Sequence, residues 1–114
     1  MGDGQHGWAA AEWVMMMRNL FVREEGDDLV IGGGVRKDWV RNGAEPVFFG
    51  PTPTPWGKVE VQLQRTEGEV HVFLTARWRS ILPAKIEVRV PGFQPVEIPV
   101  KSGPRHRVIL EELP

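Results

Sequence analysis

The first part of the chain has a hydrophobic pattern that predicts one α-helix, from Trp8 to about Arg23. This stretch contains no glycine or proline and is rich in alanine, methionine and leucine, which are good helix formers. On a helical wheel, Glu12, Asn19 and Arg23 fall on one narrow polar stripe, and nearly every other direction is apolar. A helix with this pattern is buried on most sides, whereas a surface helix has a single apolar face.

One small domain covers only one side of such a helix, so the pattern predicts a second contact surface. That surface belongs either to another copy of the chain or to a further domain. An uncovered apolar face of this size exceeds what soluble monomers usually expose. The residues expected to mediate self-association, and so to make a homo-oligomer, are Trp13, Val14, Met17, Leu20 and Phe21.

From residue 28 onward, apolar and polar residues alternate with a period of two, which is typical of half-buried antiparallel strands. Five clear runs lie near residues 58–64, 69–75, 85–90, 96–100 and 107–111, and two shorter candidates lie at 29–31 and 46–49. The pattern predicts a mainly β fold, an antiparallel β-sandwich of six to seven strands with one N-terminal α-helix. We divide the chain into a glycine-rich loop and apolar helix (1–26) and a sandwich domain (27–114).

The segments between these runs carry turn residues. Thr66-Glu-Gly68 predicts a hairpin between the two longest strands. The Gly32-Gly-Gly34 run lacks the spacing of a phosphate-binding loop and predicts a turn that needs positive φ, followed by a single helical turn at 35–40. The proline-rich stretch Gly50–Gly57 is expected to be a stiff connector, because proline cannot donate a ladder hydrogen bond.

Composition narrows the possible functions. The formal net charge is −1 with scattered basic residues, which gives no reason to expect a nucleic-acid partner. There is no cysteine, and His6, His71 and His106 are not at metal-ligand spacing, so neither a metal nor a cofactor is expected. The apolar run at 13–17 is too short to cross a membrane, and the polar first residues do not resemble a secretory signal. No localisation is predicted. No nucleophile or acid–base motif is recognisable, so we do not expect an enzyme.

Tryptophan is the one unusual aromatic feature, with five Trp and no Tyr. Trp39, Trp56 and Trp78 are expected in or beside connectors. If they are exposed they could stack on sugar rings, which would make the chain a carbohydrate-binding module. The alternative is that these rings plug the ends of the sandwich.

The N-terminal half of the chain resembles part of a known enzyme family. Residues 1–25, with His6-Gly-Trp8 before the apolar stretch, are similar to the last barrel helix of bacterial (α/α)6-barrel, six-hairpin glycoside hydrolases of the α-L-rhamnosidase-like kind. Residues 28–40 and 49–59 resemble the start of the C-terminal β-sandwich that follows in such enzymes; beyond them only the strand pattern agrees.

The resemblance implies a non-catalytic accessory or structural domain. In that family the catalytic acid and base lie in the upstream barrel, which this chain does not contain. The resemblance further implies that Asp3, Gln5, His6 and Trp8 would at most line a pocket at the barrel mouth, and that a barrel domain is a second possible partner for the apolar helix.

Overall fold

The structure is a computed structural model that describes residues 18–36, 45–101 and 103–114. Within these ranges the chain is mainly β, as predicted, and forms a sandwich-like arrangement of eight strands. The strands are β1 (Val22–Glu25), β2 (Asp28–Ile31), β3 (Val47–Thr54), β4 (Gly57–Thr66), β5 (Glu69–Trp78), β6 (Lys85–Val88), β7 (Val96–Ile98) and β8 (Arg105–Glu111).

The strands form two four-stranded sheets. Sheet A has the order β1-β2-β6-β7, and sheet B has the order β3-β4-β5-β8. Sheet B is antiparallel throughout, and its central β4–β5 hairpin closes through Glu67 and Gly68, which confirms the predicted turn. Sheet A contains one parallel pair, β2 with β6, so the expectation of antiparallel strands alone was wrong there.

One core lies between the sheets and is built from the inward positions of both. Leu29, Ile31 and Ile86 of sheet A and Leu63 and Leu74 of sheet B are almost fully buried. These residues occupy the apolar positions of the period-two pattern, which explains why that pattern located the strands. The core therefore unites the two sheets in a single packed layer.

The predicted helix ends earlier than the sequence suggested. Residues 18–21 are helical, but Val22 already belongs to β1 and pairs with Ile31. The amide of Gly32 donates to the Phe21 carbonyl at 2.8 Å. Sheet pairing thus overrides the helix propensity at 22 and 23. The division at residues 26 and 27 falls within the tight turn between β1 and β2.

The Gly32–Gly34 run is a turn, and glycine is required at two of its positions for different reasons. Gly32 has φ +78°, as the turn prediction required. Gly34 lies against the helical residues, where an added Cβ would lie 2.9 Å from the Leu20 Cα. Its amide donates to the Leu20 carbonyl at 3.0 Å. The glycine run therefore lets the chain pack tightly against the end of the helix. The helical turn predicted at 35–40 falls mostly outside the described residues.

The proline-rich stretch was predicted to be a connector, and this was wrong. β3 continues through it to Thr54 and pairs with β4, with a register shift between Phe49 and Thr52 and a cis peptide bond between Gly50 and Pro51. Proline is tolerated because β3 is an edge strand, where one side of the backbone needs no ladder partner. Among the described residues, no helix has the length and apolar character needed to cross a membrane.

Candidate functional site

The most elaborate polar arrangement in the described residues is centred on Arg18, at the start of the described helical residues. Its guanidinium donates to the Glu24 carboxylate through both terminal nitrogens, one of these bonds measuring 2.9 Å. It also donates to the Pro53 carbonyl at 2.8 Å, with a longer contact to the Val22 carbonyl at 3.4 Å. Arg18 thus joins the helix end to β1 and to β3. The contact with Pro53, 35 residues away in the sequence, could not be predicted from the helical pattern.

The electrostatics of this pair reinforce the contact. The hydrogen bond from Arg18 lowers the pKa of Glu24, and the same bond raises the pKa of Arg18. The Arg18 side chain is 11% exposed and that of Glu24 is 28% exposed, so solvent screens the pair only in part. Because each charge satisfies the other, the pair serves to hold the chain in place and is not poised to move a proton.

A surface groove of about 690 Å³ lies beside this pair. Phe49 forms part of its wall and stacks on Phe21, with ring centroids 4.8 Å apart and nearly parallel planes. The irregular segment of β3, from Gly50 to Pro53, forms the rest of the wall. The groove is mostly apolar with one neutralised ion pair at its side, which suits an apolar group docking next to the helix end.

The outer face of sheet B carries an aromatic and cationic row that the sequence reasoning missed. Phe48, Gln62, Phe73 and Arg107 lie in register on the four adjacent strands. Phe48 is 62% exposed, and the Arg107 guanidinium lies 5.5 Å from the centre of the Phe73 ring. The sequence signal for this row was that Phe48 and Phe73 occupy outward positions of the period-two pattern.

The three tryptophans proposed for sugar stacking are in different settings. Trp56 is only 6% exposed and belongs to the core, so its ring offers no stacking face. Trp78 is the last residue of β5, beside the connector that follows, and it packs against the core with its indole N–H buried. Both rings therefore contact the core of the sandwich. Trp39 lies outside the described residues.

The residues proposed for self-association are also divided. Leu20 and Phe21 pack against the core of their own sandwich, because the helix end folds back onto β3. They are therefore used within the domain. Trp13, Val14 and Met17 lie outside the described residues, as do the proposed pocket-lining residues Asp3, Gln5, His6 and Trp8.

The two described histidines make separate contacts. His71 is 3.6 Å from a Glu69 oxygen and 3.2 Å from an Arg107 nitrogen, on the outer face of sheet B. His106 contacts the Gly103 carbonyl at 3.0 Å, at the other end of the same sheet. Across the described part of the chain, no group of three His, Asp or Glu residues is placed to hold a metal ion.

Comparisons with protein-family models, with curated proteins and with solved structures find no match to this chain.

Proposed function

We propose that this chain is a non-catalytic accessory domain whose β-sandwich is a rigid base for the apolar segment at residues 8–17, and that it self-associates through that segment. The resemblance to the C-terminal region of six-hairpin glycoside hydrolases supports an accessory role. In an enzyme of that kind the segment would contact a barrel domain; in this chain the proposed partner is a second copy.

The observation that carries the proposal is the fixed junction at residues 18–24. Phe21 is buried in the core and Arg18 binds both β1 and β3, so the chain enters the sandwich at one defined position. Leu20 and Phe21 pack against the sandwich itself, so the proposal assigns the contact with a partner to the apolar residues that precede them in the sequence. Burying each such side chain is worth roughly 1.5–3 kcal/mol, which gives several of them a strong drive to associate.

Light scattering after size exclusion tests self-association. The parent chain should elute as a closed oligomer, and the double variant Val14→Lys with Met17→Lys should shift it to monomer, because lysine at an apolar contact is costly to bury. Asn19→Lys is the matched control, since Asn19 is exposed and lies on the polar stripe. A parent that is monomeric at every concentration contradicts the proposal.

Activity and sugar binding are checked on the same preparation. We expect no hydrolysis of aryl glycosides, and no change in tryptophan fluorescence on titration with oligosaccharides. A saturable fluorescence change would favour the carbohydrate-binding alternative. Turnover that is abolished by substituting an acidic residue of this chain would overturn the non-catalytic role.

A further inference from the structure

The four edge strands of the sandwich differ in how well they are protected against pairing with another strand. β3 contains prolines at 51 and 53, β1 is short and charged, and β7 has three residues with Pro95 and Pro99 close to its ends. Natural sheets use these features to prevent edge pairing. β8 has seven residues, no proline and, among the described strands, only β5 as a partner in sheet B.

The register shows which backbone groups of β8 are available. Hydrogen bonds from Ala76 to the Pro104 carbonyl and from Glu112 to the Gly68 carbonyl mark the even-numbered residues as those that bond toward β5. In an antiparallel pair the intervening residues direct their N–H and C=O groups to the other side. The amides and carbonyls of Arg105, Arg107 and Ile109 therefore face away from β5, and no other described residue hydrogen-bonds to them.

A groove of about 470 Å³ runs along this free edge, between β8 and the end of β7. Its described lining contains three cationic residues, Lys101, Arg105 and Arg107, and no carboxylate. Val108 and Ile98 supply its apolar floor. Free backbone groups, an apolar floor and a cationic rim are what an extended acidic segment needs in order to add as a strand.

We propose that an acidic, extended peptide segment of a partner protein docks on β8 as an additional strand of sheet B. In the antiparallel orientation the peptide would place an apolar residue opposite Ile109 and acidic residues opposite Arg107 and Arg105, each two positions apart. Opposite charges that face each other across neighbouring strands attract, which favours acidic residues at those two positions. The residues between them would lie over the apolar floor.

A second copy of the chain fits this edge less well. The antiparallel register that places Arg105 opposite Glu111 needs the Glu111 carbonyl, which already accepts a hydrogen bond from Gln94 at 2.7 Å. Phe93 also bridges to Glu112 at the same end of the strand. Shifting the register toward the Arg105 end of β8 places Arg107 opposite Arg107 of the second copy, and like charges directly opposite are destabilising. The edge of β8 therefore favours an acidic partner over a second copy of the chain.

Fluorescence anisotropy tests the proposal with a short labelled peptide containing valine, threonine, glutamate, valine and glutamate in that order. We expect saturable binding that weakens as salt is raised. Replacing both arginines, Arg105→Glu with Arg107→Glu, should lower the affinity by about tenfold or more, because two attractive cross-strand pairs become repulsive. Lys58→Glu is the matched control, since Lys58 is exposed on β4 and should leave binding unchanged.

The peptide itself provides a second test that does not depend on how well a variant folds. Exchanging its glutamates for glutamine, or methylating the backbone nitrogens that face β8, should each weaken binding to the parent protein. Hydrogen exchange at the amides of Arg105, Arg107 and Ile109 should slow when the peptide binds. Absence of binding, or binding that ignores backbone methylation, overturns the proposal. So does slowing of those amides with protein concentration alone, which would identify a second copy as the occupant.

Discussion

Arg18 has the most interactions of any charged residue in the described structure. Its guanidinium contacts acceptors on β1 and β3, and Glu24 supplies the opposite charge. When one partner of a partly buried pair is removed, the other keeps its desolvation cost without its compensation. The two side chains should therefore behave as a unit in mutational experiments.

Glu24 should make the stability of the protein depend on pH in the acid range. Its pKa in the folded state lies below the unfolded value of about 4.3, because Arg18 hydrogen-bonds to the carboxylate. The unfolded state then binds more protons. The stabilisation that the Arg18–Glu24 pair contributes is therefore complete above the unfolded pKa and is lost as the pH falls through the lowered pKa.

Urea denaturation across pH tests this. Glu24→Gln should lower the free energy of unfolding by about 1–3 kcal/mol at neutral pH, and should cost little near the acid end, where the parent carboxylate is protonated as well. In the background of Arg18→Met, the same substitution should have a much smaller effect at neutral pH. Additive effects of the two substitutions would contradict the coupling.

At the scale of elements, the two hairpins of sheet B impose different demands on their glycines. Gly57 follows the β3–β4 turn with φ +134°, and an added Cβ would lie 2.1 Å from the Arg77 carbonyl oxygen. Gly68 closes the β4–β5 hairpin with φ +75°, and nothing lies within 4 Å of its added Cβ. Both positions disfavour side chains by conformation, but only Gly57 adds a clash with neighbouring backbone.

Substitution by alanine should separate these two effects. Gly68→Ala is expected to cost about 1–2 kcal/mol, the strain of a left-handed conformation alone. Gly57→Ala should cost clearly more, about 3 kcal/mol or above, because backbone strain and overpacking combine. Urea denaturation of both variants measures the difference, and equal losses would show that β5 yields to the new methyl group.

The elements also show where sequence patterns succeed. Long strands such as β4 and β5 were located because their buried and exposed residues alternate without interruption. The helical pattern includes the first two residues of β1, since Val22 fits its apolar side and Arg23 its polar stripe, and their strand partner lies beyond the turn. β3 was truncated at its prolines, because only the sheet order reveals that it is an edge.

The candidate site was less predictable for the same reason. The partners of Arg18 and Phe21 include Pro53 and Phe49, which are distant in sequence and meet only through the packing of β3 beside the helix end. Trp56 and Trp78 were recognised as unusual residues, but whether a ring is exposed depends on tertiary packing. The free edge of β8 likewise follows from strand order and register, which the alternation of residues does not specify.

For the whole molecule, the shared core implies that the two sheets lose structure together. Leu29 of sheet A is fully buried in the same cluster as Leu63 of sheet B. Leu29→Ala should lower the free energy of unfolding by about 2–5 kcal/mol. Slow amides in both sheets should lose protection equally, because both then exchange by global unfolding.

Leu113→Ala is the matched control for that experiment. Leu113 is 46% exposed near the end of the chain, so its truncation should change stability by no more than about 0.5 kcal/mol. Loss of protection confined to sheet A in Leu29→Ala would show instead that sheet B is stable by itself.

The parallel pairing of β2 with β6 has a consequence for the order in which the chain folds. β3, β4 and β5 all lie between these two strands in the sequence, so sheet A closes a long loop while sheet B grows from local hairpins. Closing a long loop is entropically costly before its contacts form, which makes non-local pairing slow. Sheet B should therefore fold first, and β2 should complete its pairing in sheet A only after β6 has formed. During synthesis, Leu20 and Phe21 would lack the completed core against which they pack until most of the chain has been made.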